Sequence, residues 1–148
     1  MNLSSLRSVK DLLGERQICP SKRLGQNFLI DKEAVKKIIE AANLEPEDIV
    51  LEVGPGLGVL TRELAKKVKK VIGIEKDPKM TEILKELLEC WNGGNVEIIQ
   101  GDILKINPKY YLLNTKYYKV VANIPYYLTA FLIRNSLESK TPPKDMTL

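Results

Sequence analysis

Ile49-Val50-Leu51-Glu52-Val53-Gly54-Pro55-Gly56-Leu57-Gly58 decides how this chain folds. Ile49 to Val53 is a short apolar run, broken only by Glu52, and it predicts a strand buried on both faces. Three alternate glycines follow at once. Such glycines let the backbone turn sharply and let a ligand approach without meeting a side chain, although a tight strand-to-helix turn alone would ask for the same residues. Leu57, Leu60, Leu64 and Val68 then recur on one face of a helix. A strand, a glycine turn and a helix in that order begin a parallel α/β unit. The third glycine comes one residue too early for the G-x-G-x-x-G dinucleotide pattern.

The same rhythm runs outward from this segment. Upstream, Asp31 offers an N-cap to a helix with Ala34, Val35, Ile38, Ile39 and Ala42 on its apolar face, ended by Asn43 and Pro46. Downstream, Val71 to Ile74 makes a second strand ending at Glu75. Asp77-Pro78 caps and opens a helix that buries Met80, Ile83, Leu84, Leu87 and Leu88. Asn92 to Asn95 is a turn, and Val96 to Ile99 a third strand. Lys119 to Ala122 is the fourth strand, closed by Asn123. A helix starts near Tyr127 and carries Leu128, Phe131 and Leu132. Met146-Thr147-Leu148 looks like the start of a fifth strand, so the sheet is expected to stop there, with strand four poorly covered on one side and open to self-association. Strands alternating with helices imply an α/β fold, a parallel sheet with helices on both faces, binding ligands beyond the C-terminal strand ends.

Composition sets the outer limits. The chain has 148 residues, 44% of them apolar and 28% charged, which is ordinary for one globular domain. No apolar run approaches the ~20 residues that span a membrane, and no signal-like segment opens the chain, so a cytoplasmic location is expected. Cys19 and Cys90 lack metal-ligand spacing, and no metal is expected. There is no histidine, which removes imidazole bases, Ser-His-Asp triads and histidine ligands together. The net charge is +4. Residues 1–20 form a basic N-terminal segment, and the cluster of Arg7, Lys10, Arg16, Lys22 and Arg23 is the better candidate for phosphate contact. Lys66, Lys67, Lys69 and Lys70 sit where a helix ends, as the helix dipole favours.

The chemistry gathers at the strand ends. Glu75, some twenty residues past the glycines, is placed to accept both ribose hydroxyls of a nucleoside; otherwise it is an exposed strand-end carboxylate. Asp102, after Gly101, can accept from an adenine amino group or cap the turn Ile103-Leu104-Lys105. These three ends describe an adenosine pocket without choosing between a nicotinamide cofactor and S-adenosylmethionine. Asn123-Ile124-Pro125-Tyr126 makes the choice. The lone pair of an exocyclic adenine nitrogen is delocalised into the ring, so that nitrogen is a poor nucleophile. An amide oxygen of Asn123 and a carbonyl near Ile124, held by Pro125, can accept both N6 hydrogens and aim the lone pair at a methyl group. Tyr126 can stack on the base, a contact worth roughly 1–3 kcal/mol in base-binding proteins.

The motifs Gly25-Gln26-Asn27-Phe28-Leu29, Glu52 to Gly58, Glu75-Lys76-Asp77, Gly101-Asp102 and Asn123 to Tyr126 stand in the order seen in KsgA-type small-subunit rRNA adenine dimethyltransferases, which the chain resembles from about Ser21 onward. The resemblance implies a Rossmann-like S-adenosylmethionine-dependent methyltransferase domain over residues 21–148. By it, Asn27 and Leu29 close over the methionine end of the cofactor, and Gln26 also belongs to the cofactor site. Gly54 and Gly56 lie against it, Glu75 holds the ribose and Asp102 the adenine, with Lys76 and Ile103 as further cofactor-binding residues. Asn123 meets both cofactor and target amine. The implied reaction is N6,N6-dimethylation of two adjacent adenosines near the 3′ end of small-subunit rRNA, with the small ribosomal subunit as partner. The family's later strands, a further aromatic and a small helical domain are not in residues 1–148, so cofactor binding with poor methyl transfer, or none, is expected of this segment. Two rivals share these features: a large-subunit rRNA dimethylase of the antibiotic-resistance type, and a non-catalytic cofactor- or RNA-binding ribosome-assembly protein.

Overall fold

The computed structural model describes Gly14, residues 31–107, Tyr111, Leu112, Thr115 and residues 117–148. The basic segment 1–20, Cys19, and Gln26, Asn27 and Leu29 lie outside the described residues.

Helix α1 (Lys32–Ala41) opens as expected, with the Asp31 side chain accepting from the Glu33 amide, and it ends where Asn43 turns to a φ of +44°. Strands β1 (Ile49–Val53), β2 (Lys70–Glu75), β3 (Val96–Gln100), β4 (Lys119–Val121) and β5 (Asp145–Thr147) form one sheet in the order β3-β2-β1-β4-β5, every pair parallel. Between them run α2 (Val59–Ala65), α3 (Pro78–Cys90) and α4 (Tyr126–Leu137). The chain steps outward from β1 to β3, then crosses back to β4 on the other side of β1. That reversal is the switch point at which parallel sheets open a crevice.

Alternation along β1 shows why both sheet faces need cover. Leu51 and Val53 join Ile72, Ile74, Val120 and Ala122 on one face, under Leu132 of α4 and the segment that carries Ile103, Leu112 and Tyr118. Val50, Val71 and Val121 face the other way and meet Val35 of α1 with Leu60 and Leu64 of α2. Leu84 and Leu88 of α3 cover Ile98. Each fully buried Leu or Ile contributes on the order of 1.5–3 kcal/mol, so these layers hold the strand ends rigidly in register.

Several element ends move by one residue from the expected pattern, and other details differ more. Helix α2 stops at Ala65, so Leu57 and Val68 flank it rather than belong to it; both are nevertheless buried. The lysines at its end pair with carboxylates: Lys66 with Glu63, Lys69 with Glu47 and Lys70 with Glu97. Strand β5 begins one residue early, at Asp145, and all three residues of β4 pair with it, so β4 is covered on both sides and the open edge belongs to β5. At the opposite end of β4, the buried Lys119 reaches Asp48 at 2.8 Å and donates to the Asn43 carbonyl, tying β4 to the segment before β1. No described helix is long and apolar enough to cross a membrane.

Candidate functional site

Four strand ends meet in one cleft. It is lined by Gly54 and Gly56 after β1, Glu75 closing β2, Asp102 after β3 and Asn123 after β4, with Glu52 on its wall. Lys76, Ile103, Ile124 and Pro125 line it as well. Proximity follows from register: Val53 pairs with Ile74, Glu75 with Gln100, and Glu52 with Val121, so a residue just past each strand reaches the same level.

The glycine loop is shaped for a ligand at its first position and for packing at its last. Gly54 has a φ of +68°, and a Cβ there would meet nothing within 4 Å, because the space beside it is the cleft. Gly58 has a φ of +76°, and a Cβ there would collide with Leu84 of α3. The loop is also clamped by Glu75, whose Oε2 accepts from the Gly56 amide and Oε1 from the Asp77 amide, each at 2.9 Å. Glu75 is buried, so the alternative of an exposed strand-end carboxylate does not hold. Burial raises its pKa above the usual carboxylate range, while the Asp77 and Gly56 amides pull the other way and the Asp77 charge adds to the rise. The remaining lone pairs of its two oxygens are what a ribose diol would find.

Asp102 serves the turn: its Oδ1 accepts from the Leu104 amide at 3.0 Å, and its Oδ2 pairs with Lys76 at 2.9 Å. Burial alone would raise its pKa, but the Lys76 ion pair and the Leu104 amide outweigh that and hold the carboxyl below its ordinary value. It therefore stays an anionic acceptor at the cleft wall.

At the fourth end, Pro125 precedes the first turn of α4, with a φ of −59° and ψ of 143°, and its carbonyl accepts from Leu128 at 2.9 Å. Asn123, Ile124 and Pro125 together form a lip on the cleft. Tyr126 does not join them. It is 97% exposed and absent from the cleft wall, whereas its neighbour Tyr127 lines it.

One residue of the site belongs to a motif but was given no role of its own. Glu52 is 1% exposed, and its Oε2 has no hydrogen-bond partner among the described residues. Burial pushes its pKa up to about 8; the Thr61 hydroxyl beside it opposes the rise without completing a hydrogen bond, and Glu75 adds to it. The signal was present in the sequence as an acid inside an otherwise apolar parallel strand.

A parallel sheet whose switch-point cleft carries a glycine loop, a strand-two carboxylate and a strand-four amide defines a Rossmann-like nucleoside-cofactor domain. Comparison with known proteins sharpens this: the model of the ribosomal RNA adenine dimethylases matches residues 20–148, and the chain belongs to that family. A ribosomal RNA small subunit methyltransferase A of Dehalococcoides mccartyi is 41% identical over 145 residues, which is 98% of this chain and 49% of the relative. Among solved structures, a dimethyladenosine transferase from Plasmodium falciparum superposes with a TM-score of 0.69 at 33% identity, covering 80% of this chain and 41% of that one. The 23S rRNA methyltransferase ErmE gives 0.70 at 36% identity, covering 81% and 47%. The chain thus spans about half the length of the curated relatives it matches.

Proposed function

We propose that this domain binds S-adenosylmethionine and serves in the N6,N6-dimethylation of adenosines in small-subunit rRNA, within ribosome biogenesis. The observation that carries this is the joining of the Asn123-Ile124-Pro125 lip to the Glu75 and Asp102 cleft, in a chain so similar to small-subunit rRNA methyltransferases. The cleft suits the cofactor on two counts: open space beside Gly54 admits a ligand against the backbone, and two carboxylates stand ready for hydroxyl and amino donors. Glu75 would hold the ribose and Asp102 the adenine. The cofactor supplies a methyl group already activated as a sulfonium.

The protein's own part is positioning. Asn123 and the Ile124 carbonyl accept the two N6 hydrogens of a target adenine, which favours a tetrahedral nitrogen and directs its lone pair into the cleft. Bringing a base from solution to a fixed near-attack position accounts for a large part of such a rate enhancement. Extracting it from a stack costs roughly a few kcal/mol, which aromatic stacking offsets. Tyr127, at the cleft wall, would make that contact, while its neighbour Tyr126 is exposed and off the wall.

The test offers unmethylated small subunits and, separately, large subunits to this chain and to a chimaera that continues it with the C-terminal half of the Dehalococcoides relative, using labelled S-adenosylmethionine. Dimethyladenosine in small-subunit RNA, abolished by Asn123→Ala, is the expected result. Label confined to the large subunit would favour the resistance-type reaction. Cofactor binding with no transfer to either would remove the enzymatic reading.

A further inference from the structure

A second surface of the domain is built from residues that the methyl-transfer scheme does not use. Beside the cleft, α1 and α2 bound a groove lined by five exposed cations: Lys32, Lys36, Arg62, Lys66 and Lys67. The two carboxylates on its wall do not cancel them. Glu40 meets Lys36 at 3.9 Å and Glu63 meets Lys66 at 2.6 Å, exposed pairs of the kind that contribute little and are easily exchanged for another anion. Lys32, Arg62 and Lys67 pair with no carboxylate among the described residues. The helix dipole accounts for Lys66 and Lys67 at the end of α2, but not for Lys32 in the first turn of α1, where a cation is disfavoured. Arg62 is further organised, its guanidinium carbon lying 5.3 Å from the centre of the Trp91 ring. A stacked guanidinium keeps its charge and its outward N–H donors while losing freedom, which suits phosphate oxygens. Trp91 Nε1 is itself buried with no partner among the described residues, so the ring serves Arg62 by its face. The groove is continuous with the cleft. Val59, at the start of α2, lines both, and Trp91 packs against Gly58, where a Cβ would come within 3.2 Å of its ring.

We propose that this groove carries the RNA strand that flanks the target adenine, which leaves the cleft over Val59 and lays its phosphates along Lys32, Arg62 and Lys67. This rests on the reading of RNA as the substrate. The arrangement selects an anion that repeats. Lys32 and Lys36 stand one helical turn apart on α1, as Arg62 and Lys66 do on α2, so each helix presents cations at a step of about 6 Å. A single small anion would use one such position, whereas a phosphodiester chain uses them in succession. Phosphate contacts of this kind position a strand without reading its sequence, which leaves the choice of base to the cleft. They also supply what the cleft alone lacks. An adenine that leaves its stack to reach Asn123 must be held there, and binding along the flanking strand offsets the unstacking.

Trp91 is the single tryptophan of the chain, so its fluorescence reports on this groove. The protein, saturated with S-adenosylhomocysteine, is titrated with a single-stranded oligouridine of about twelve nucleotides carrying two adjacent adenosines, a length usual for such sites. Anisotropy of the end-labelled RNA follows total binding in parallel. The expected result is a saturable change in Trp91 fluorescence with the same midpoint as the anisotropy. Lys32→Gln combined with Lys67→Gln, both at exposed positions, should lower the slope of log affinity against log salt by about 1.4, roughly 0.7 for each cation lost on a single strand, and leave S-adenosylhomocysteine affinity unchanged. RNA binding with an unchanged Trp91 signal, a salt slope retained by the double variant, or a slope lost only on replacing Arg7, Lys10 and Arg16 each overturns the proposal and leaves RNA standing as the substrate. An equal response to polyglutamate assigns the groove to acidic protein and overturns it too. No RNA binding by anisotropy overturns the RNA reading for this chain, and this proposal with it.

Discussion

Glu52→Gln in the ligand-free protein isolates the cost of a buried acid. In the fold its pKa is about 8, against an ordinary 4.5. Below pH 4.5 the side chain is neutral whether folded or unfolded, and it contributes no pH dependence. Between 4.5 and 8 the unfolded chain has lost the proton and the folded one retains it, so stability falls as pH rises, by about 1.4 kcal/mol per unit. From pH 5 to pH 8 the loss is therefore on the order of 3–4 kcal/mol, a large share of the roughly 5–15 kcal/mol that holds a domain together. The glutamine side chain resembles the neutral acid in shape and cannot ionise. Urea unfolding at pH 5, 6, 7 and 8 should find the two proteins similar at pH 5 and the variant ahead by about 3 kcal/mol at pH 8. The raised titration of Glu75 is common to both proteins and cancels in the difference, while Asp48 and Asp102, both lowered, act in more acid solution. Parallel stability curves from pH 5 to 8 would refute the reasoning, since Glu52 would then be ionised in the fold as well.

Glu75→Ala should weaken S-adenosylmethionine binding by roughly ten- to a hundredfold, the range expected for hydrogen bonds to a charged group, and should free the Gly56 amide it now holds; unchanged affinity in a binding titration removes Glu75 from the ribose site. Tyr127→Ala should raise the KM for RNA more than Tyr126→Ala does, because only Tyr127 lines the cleft, and Tyr127→Phe should be milder; a larger effect at Tyr126 in steady-state kinetics would show that the base stacks outside the cleft. Asp48→Ala strands the buried Lys119 and should cost about 3–5 kcal/mol by urea unfolding. Burial acts to raise the Asp48 pKa, but the Lys119 bond and the Glu45 amide hold it below the ordinary value. That stability is therefore present above the ordinary pKa near 3.8 and is lost as pH falls through the lower, folded value. A variant within about 1 kcal/mol of the parent would show that solvent, rather than Asp48, satisfies Lys119.

Much of the fold is legible in the chain because parallel strands must be apolar on both faces. Ile49–Val53 and Val71–Ile74 read as such runs, the second lengthened by one residue at each end in the fold, and Asp31 and Asp77-Pro78 mark helix starts by local capping chemistry. What local pattern does not carry is where tertiary contact takes over. Leu57 and Val68 fit the helical period of α2 but are buried by the turns around it. The ribose role proposed for Glu75 rests on its spacing, whereas its clamp on Gly56 exists only once β1 and β2 are paired. Asp102 caps the turn at Leu104 and also lines the cleft, a combination that spacing alone does not reveal. Tyr126 and Tyr127 are adjacent and chemically alike, so which of them lines the cleft depends on the phase of α4 relative to the sheet. Glu52 stood out as an interruption of its strand and as the first residue of a motif, but motif spacing says nothing about whether a carboxylate finds a partner.

If the four strand ends form one S-adenosylmethionine site, backbone amide NMR of this chain during titration with the cofactor will show it residue by residue. The amides of Gly54, Gly56, Gly101 and Leu104 sit on or beside the cleft wall and should shift together and saturate at a single stoichiometry, while NAD leaves them in place. Shifts gathered instead along the outer face of α1 and α2, around Lys36, Arg62 and Lys66, or no saturable shift at the glycine loop, would contradict it.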